Sequence, residues 1–376
     1  MKILLIGEYS RLHNSLKEGL QALGHEVTII GTGDNFKQFP VDYSISPKFI
    51  TSNRFFVFLN KAFFKVFNSD LQLLEKGIRF YLFLPKQKNF DIVQLINSNA
   101  IETYPFFSKY LLKKVFKNNR KSFLLICGED TPIIDFLLLK KMRYSILSPL
   151  FEDEKLRESY YFSLKYTQKN YRDLFEFVKQ NIQKIIVSDL DYKIPLPEYE
   201  LIPNPINTDK IKAESLVISN KIIIFLGINE GSYLKKGASY FEKTLKIIEQ
   251  KYPDQVEIII SKNLPYREYI QLYDKAHIIL DQVFGYDQGY NALEAMAKGK
   301  VVFTGAEKEF EEYYNLTEKV CINALANVDY LVNELSFLIE NPEEIIAIGK
   351  RSSAFVEKEH HYIKIAQKYL EAWTNS

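Results

Sequence analysis

A chain of 376 residues is too long for one ordinary hydrophobic core and fits two domains of similar size. Its 47% hydrophobic and 26% charged residues exclude a disordered polypeptide, while the net charge of +2 averages an uneven distribution and says little about partners. Two distant cysteines, Cys127 and Cys321, exclude a disulfide framework and a cysteine metal site, and so favour a reducing cytoplasm.

The apolar run at residues 1–7 is short and is followed by Glu8, Arg11 and His13, so it reads as a buried strand rather than a leader. Short β-branched runs then alternate with segments of helical period, the pattern of parallel α/β sheets. Residues 2–7, 26–30, 92–96, 122–127 and 184–187 are predicted strands, and residues 14–23 a helix stopped by Gly24. The stretch 55–67 is the most apolar, but Asn60, Lys61 and Lys65 interrupt it and it cannot span a bilayer. The predicted helix 109–121 carries Lys109, Lys113, Lys114, Lys117, Arg120 and Lys121 with no acid, which suits packing on a sheet with a solvated outer face. Such a surface can also rest peripherally on anionic lipid at the inner face of a membrane. Nucleic-acid binding is disfavoured, because no recognition motif accompanies the charge.

Residues 188–206 carry Pro195, Pro197, Pro203 and Pro205 and read as a linker belonging to neither sheet. A second series follows, with strands at 222–226, 256–260, 277–280 and 301–304. Helices are expected at 236–251, 266–275, 289–298, 329–339, 343–358 and 362–373. The expected architecture is two doubly wound domains, 1–200 and 201–359, facing each other across a cleft, with the last helix, 360–376, packed back on the first. Ligands bind beyond the carboxyl ends of such strands.

The most informative stretch is 276–305. A buried strand ends at Asp281-Gln282, and a glycine-containing loop leads into a helix starting near Gly289. The amides of Tyr290, Asn291 and Ala292 at that helix start suit a diphosphate, and Glu294 can accept from the hydroxyls of a ribose beside it. The sequence 289–302, GYNALEAMAKGKVV, resembles the signature of glycosyltransferase family 4 and its GT-B relatives. That resemblance implies a GT-B fold of two Rossmann-like domains and a nucleotide diphospho-sugar donor. It also implies retention; the expected reaction is transfer to a hydroxyl of a saccharide or lipid-linked saccharide, with no cofactor and no metal, because Lys236 and the helix amides can supply the charge. A glutamate at the Glu294 position of that family binds ribose. A second, eight residues earlier, contacts the donor sugar; here Tyr286 stands there, with Asp287 adjacent. Lys236-Gly237 matches the family's diphosphate-binding pair. The partner arginine is not evident, Asn229 or Glu230 standing near its position, and Lys235 is a candidate replacement. The loop 261–265 lies where the family holds the donor base.

On the N-terminal side, the loop after the first strand lacks G-x-G-x-x-G, which disfavours a nicotinamide enzyme, and offers Ser10 and His13 to the cleft. The loop 128–132 offers Glu129 and Asp130, which suit sugar hydroxyls, or equally a helix cap. No Asp-x-Asp pair is expected in a plausible loop, so no metal ligand is assigned. A nucleotide-sugar epimerase and a catalytically silent sugar-nucleotide binder are the alternatives.

Overall fold

The computed structural model describes residues 1–34, 37–67, 69–213, 216–218, 220–264 and 266–376, the side chains of Phe67, Tyr266 and Arg267 excepted. Seven strands make the first sheet: β1 (Lys2–Ile6), β2 (Glu26–Gly31), β3 (Tyr43–Ser44), β4 (Ile92–Leu95), β5 (Lys121–Ile126), β6 (Lys184–Val187) and β7 (Glu200–Leu201). Their order is β3-β2-β1-β4-β5-β6-β7, all parallel. Five make the second: β8 (Ile222–Ile228), β9 (Val256–Lys262), β10 (Ile278–Leu280), β11 (Val301–Thr304) and β12 (Ile322–Asn323), in the order β12-β11-β10-β8-β9, again parallel. Runs such as Ile3-Leu4-Leu5-Ile6 and Phe123-Leu124-Leu125-Ile126 are fully buried, as strands covered by helices on both faces must be. Each sheet has its own core. The expected pair of doubly wound α/β domains is the observed fold.

Three expectations change. Residues 188–206 are not outside both sheets: β7 pairs with β6 through Ile186–Glu200 and Val187–Leu201, because a two-residue strand fits between the prolines. The helix expected at 236–251 is broken into Tyr233–Lys236 and Ala238–Lys251 by Gly237, which adopts φ 65°. A Cβ at Gly237 would run into Val283, so the left-handed break and the close approach both require glycine. The helix expected at 109–121 runs over Pro105–Asn118, and Lys121 already belongs to β5.

The last helix, Tyr362–Thr374, lies on the first, Leu12–Ala22, with Trp373 buried in the first core and its Nε1 donating to Gln94 Oε1 at 3.1 Å. Where the chain returns, Ile206 and His361 form a parallel bridge, Ile206 N donating to His360 O (2.7 Å) and Tyr362 N to Ile206 O (3.0 Å). The two segments passing between the sheets are therefore tied side by side.

Candidate functional site

Both sheets reverse their winding once, between β1 and β4 in the first and between β8 and β10 in the second. Crevices beyond the carboxyl ends of strands at such points bind ligands in open α/β sheets. At the first, Gly7 (φ 88°) is followed by Ser10 (φ 51°) and Arg11 (φ 72°), consecutive non-glycine residues in the left-handed region. Strain of this kind costs on the order of 1–3 kcal/mol per residue and is concentrated at functional sites. Ser10 N donates to Asp34 Oδ2 (2.8 Å), which holds the turn. Glu8, just past β1, is buried; its Oε2 accepts from Asn14 N (2.8 Å) and Asn14 Nδ2 (2.6 Å), and burial pushes its carboxyl up to about 8. Sequence reasoning passed over Glu8, although its place directly after the strand was visible.

His13 is fully buried behind this loop. One ring nitrogen lies 2.7 Å from Gly7 O and the other 3.3 Å from Gln94 Nε2, and burial lowers its pKa to about 4. It is a neutral packing residue, not a group facing the cleft.

At the second crevice, two adjacent lysines at the end of the helix Tyr233–Lys236 reach different partners. Lys236 Nζ reaches the buried carboxylate of Asp281 at 2.7 Å, and Asn291 Nδ2 reaches the same oxygen at 3.3 Å. Lys235 pairs with Glu129 of the first domain. The helix Tyr290–Ala297 begins at Gly289, where a Cβ would meet open space. Gly289, Asn291 and Lys236 are thus brought together at one helix start. Tyr290 is buried, and its hydroxyl lies 2.6 Å from Ser15 Oγ of the first domain's first helix. Glu294, also buried, lies near Tyr290, as does Arg11.

Other sequence candidates serve the fold. Asp130 is wholly buried, accepting from Ser98 N (2.8 Å), Ser98 Oγ (2.6 Å) and Thr131 N (2.7 Å); it caps the helix Thr131–Leu138. Asn229 Oδ1 accepts from Gly231 N at 3.0 Å, capping a short turn. Tyr286 accepts at its hydroxyl from Arg143 N (3.0 Å) and carries the Arg143 guanidinium 4.8 Å over its ring. This residue is therefore covered by a loop of the first domain. Asp287 is buried and accepts from Leu190 N (3.0 Å) and Gln288 N (2.7 Å); burial pushes it up to about 6.

The expectation of no Asp-x-Asp also needs correcting, since Asp189-Leu190-Asp191 is such a pair. Its carboxyls face the loop of Asp287: Asp191 Oδ1 accepts from Tyr286 N at 2.9 Å, and burial pushes Asp191 up to about 7. Asp191, accepting from Tyr286 N, and Asp287, accepting from Leu190 N, thus join the two domains here. Among the described residues no group of three or more His, Cys, Asp or Glu side chains is arranged to hold a metal ion.

Between the domains lies a cavity of about 1590 Å³, bounded by Tyr9, Lys76, Glu102 and Lys165 on the first domain and by Glu230 and Lys235 on the second. The residues that line it from the first domain, apart from Tyr9, come from segments between β3 and β6 to which no motif pointed. Lys262 ends β9 beside it and Asn263 follows, its Oδ1 accepting from Glu230 N at 3.0 Å; Pro265 of the same predicted loop lies outside the described residues.

The family described as "Glycosyl transferase-like" matches residues 234–371. No curated protein matches the chain. Among solved structures, sucrose-phosphate synthase from Thermosynechococcus elongatus is similar over 100% of both chains, with 13% identity and a TM-score of 0.59. HepE from Anabaena, in complex with UDP and glucose, is similar over 100% of both chains, with 13% identity and a TM-score of 0.60. UDP-GlcNAc 2-epimerase from Neisseria meningitidis, bound to UDP-GlcNAc, is similar over 100% of both chains at 11% identity and 0.53. The chain has the GT-B fold, and the part of it that carries the Lys236–Asp281–Asn291 cluster matches the glycosyl transferase-like family.

Proposed function

We propose that this chain transfers a sugar, with retention, from a nucleoside diphosphate sugar to a hydroxyl of a saccharide or lipid-linked saccharide, without a metal ion or cofactor. The observation that carries the reading is the convergence of Lys236, Asn291 and the helix start at Gly289 at the second sheet's crevice, next in sequence to Lys235, which bounds the two-domain cavity. In this reading the diphosphate lies over the amides of Tyr290 and Asn291, where the helix dipole favours negative charge. Lys236, held by Asp281, supports the charge that develops on the leaving phosphate. Glu294 holds the ribose, and uridine is the base favoured by the UDP-bound structures of similar fold.

UDP-GlcNAc 2-epimerase, bound to UDP-GlcNAc, shares this fold and supports the alternative reading of a nucleotide-sugar epimerase. The size of the two-domain cavity favours an acceptor, since an epimerase needs room for one sugar nucleotide alone. Chromatography of the products from UDP-sugars, with and without oligosaccharide acceptors, separates the readings. Isomerised donor with no transferred sugar would overturn transfer, and bound donor with neither product would mean a silent binder.

The reading includes peripheral contact with the cytoplasmic face of a membrane, through a different element from the one first expected. In the helix Pro105–Asn118 the apolar Leu111, Leu112 and Val115 are buried on the sheet. The helix Arg54–Phe67 instead exposes Phe55, Phe58, Phe64 and Val66, carries Arg54, Lys61 and Lys65, and contains no acid. Leu74, Ile78 and Leu82 of the neighbouring helix Leu71–Phe83, and Phe106 beyond it, continue this apolar surface. Aromatic side chains interleaved with cations suit the interface of an anionic bilayer. No helix among the described residues is long and apolar enough to cross one. Sedimentation with phosphatidylserine vesicles should bring the protein down, and Phe55→Ser with Phe58→Ser should release it. Equal sedimentation of the double variant would remove this part of the reading.

A further inference from the structure

Four lysines stand on the wall of the large cavity, and three of them are already paired, Lys262 with Glu242 at 3.2 Å. Lys76 Nζ lies 2.7 Å from Glu102 Oε2, whose other oxygen accepts from Thr32 Oγ1 at 2.9 Å. Lys235 pairs with Glu129 across the cleft. Lys165 has no carboxylate within ion-pair distance among the described residues. Its ammonium sits over three rings instead, 5.4 Å from the centroid of Phe162, 5.1 Å from Tyr166 and 5.6 Å from Tyr171.

We infer that Lys165 is the anion-binding point of the acceptor subsite, so that the cavity takes an acceptor carrying a phosphate or carboxylate group. This rests on the transfer reading above. Lys165 itself fixes the sign: Glu102 is engaged by Lys76 and Glu129 by Lys235, and among the described residues the wall's further acids Asp70, Glu158 and Glu230 form no ion pair with it. Cation–π attraction holds the Lys165 head in place but supplies no oxygen to its N–H donors. Burial accordingly pushes Lys165 below the ordinary lysine range, while Glu102 and Glu129 act on it against Lys76 and Lys235. An oxyanion entering the cavity completes those donors with charge-assisted bonds. Around it, Gln72, Asn99, Gln168 and Asn170 offer amides for sugar hydroxyls, and Tyr104 and Tyr161 offer rings for sugar faces. At about 1590 Å³ the cavity exceeds what one monosaccharide fills, leaving room for a charged group beyond the reacting sugar.

Calorimetry on the full chain at pH 7 tests this with three probes: octyl phosphate, glucuronic acid and the neutral octyl glucoside. One of the two anionic probes should bind at least tenfold more tightly than octyl glucoside, and which one does identifies the group as phosphate or carboxylate. Lys165→Met should weaken that probe on the order of ten- to a hundredfold, Lys165→Arg should retain most of it, and UDP affinity should stay the same in all three proteins. Equal binding of charged and neutral probes to the unaltered chain would overturn the inference, whether or not the methionine variant folds. So would a folded Lys165→Met protein that binds the anion as before. If the anionic probe binds through Lys165 but UDP does not bind at all, the transfer reading falls and an anion site of another purpose remains.

Discussion

The hydroxyls of Ser15 and Tyr290, 275 residues apart in the chain, lie 2.6 Å from each other and join the first helix of one domain to the proposed donor-binding helix of the other. Both residues are buried, so removing either hydroxyl leaves the other without its partner. Ser15→Ala and Tyr290→Phe should each destabilise the closed arrangement by ~1–3 kcal/mol, and the double variant should cost less than the two added together. Small-angle scattering should show each single variant more expanded than the parent and equally compactable by saturating UDP. Strict additivity in urea unfolding would show that the two hydroxyls are neighbours without being partners.

Gly19 marks the tightest crossing of the first and last helices. A Cβ there would run into Tyr362 O and stand 2.9 Å from Ala366 Cβ, and a backbone carbonyl cannot swing aside as a side chain tip can. Gly19→Ala should therefore cost ~1–3 kcal/mol by overpacking, despite alanine's better helix propensity. A lowered thermal midpoint together with early protease cleavage near residue 360 is the expected result. An unchanged midpoint would mean that the last helix shifts without loss.

The buried carboxyls set a pH dependence whose sign can be worked out. Glu8, Asp191 and Asp287 have folded values of about 8, 7 and 6, against 4.5, 3.8 and 3.8 as ordinary values. Between the ordinary and the folded value the folded state holds more protons, so stability falls as pH rises through that window. His13 and His360, both near 4 against 6.5, act the other way, but only below pH 6.5. From pH 6.5 to 8 the raised carboxyls alone of these groups still titrate. Unfolding free energy should drop there by ~1.6 kcal/mol through Glu8, ~0.8 kcal/mol through Asp191 and only ~0.2 kcal/mol through Asp287, whose window is nearly past. Asp191→Asn should flatten the lower part of the fall and Glu8→Gln the upper part. Stability that climbs over this interval would contradict the assignment.

Lys236 and Glu294 have separable roles in the proposed donor site. Lys236→Ala should weaken UDP on the order of ten- to a hundredfold and leave uridine nearly unchanged, whereas Glu294→Ala should weaken both. Salt should diminish the Lys236 contribution more, because that side chain is partly exposed. Small, equal effects of both substitutions in calorimetry would put the donor elsewhere.

Donor binding should also survive strong chelation. The charge that a divalent ion supplies in other transferases is assigned here to Lys236 and the helix amides, while Asp191 Oδ1 is engaged by Tyr286 N and Asp189 Oδ2 by Ser188 Oγ. Loss of UDP binding in EDTA, restored by magnesium or manganese, would refute the metal-free assignment.

What the sequence determined by itself are the features that local chemistry dictates. Ile3–Ile6, Ile222–Leu226 and Val301–Thr304 read as buried strands, because short unbroken apolar runs need cover on both faces. The helix starting after Gly289 and the packing of Trp373 follow from spacing in the same way. Tertiary structure decided which polar groups are spent on the fold. Asp130, His13 and Tyr286 read as cleft residues in one dimension, yet each is buried with its polar atoms engaged by chain remote in sequence: Ser98, Gln94 and Arg143. Nothing in the neighbourhood of Lys165 distinguishes it from the other lysines. Its environment exists only where the helices between β5 and β6 meet Glu102 and Glu129 at the cleft, since long-range electrostatics and burial depend on distances that sequence separation does not encode.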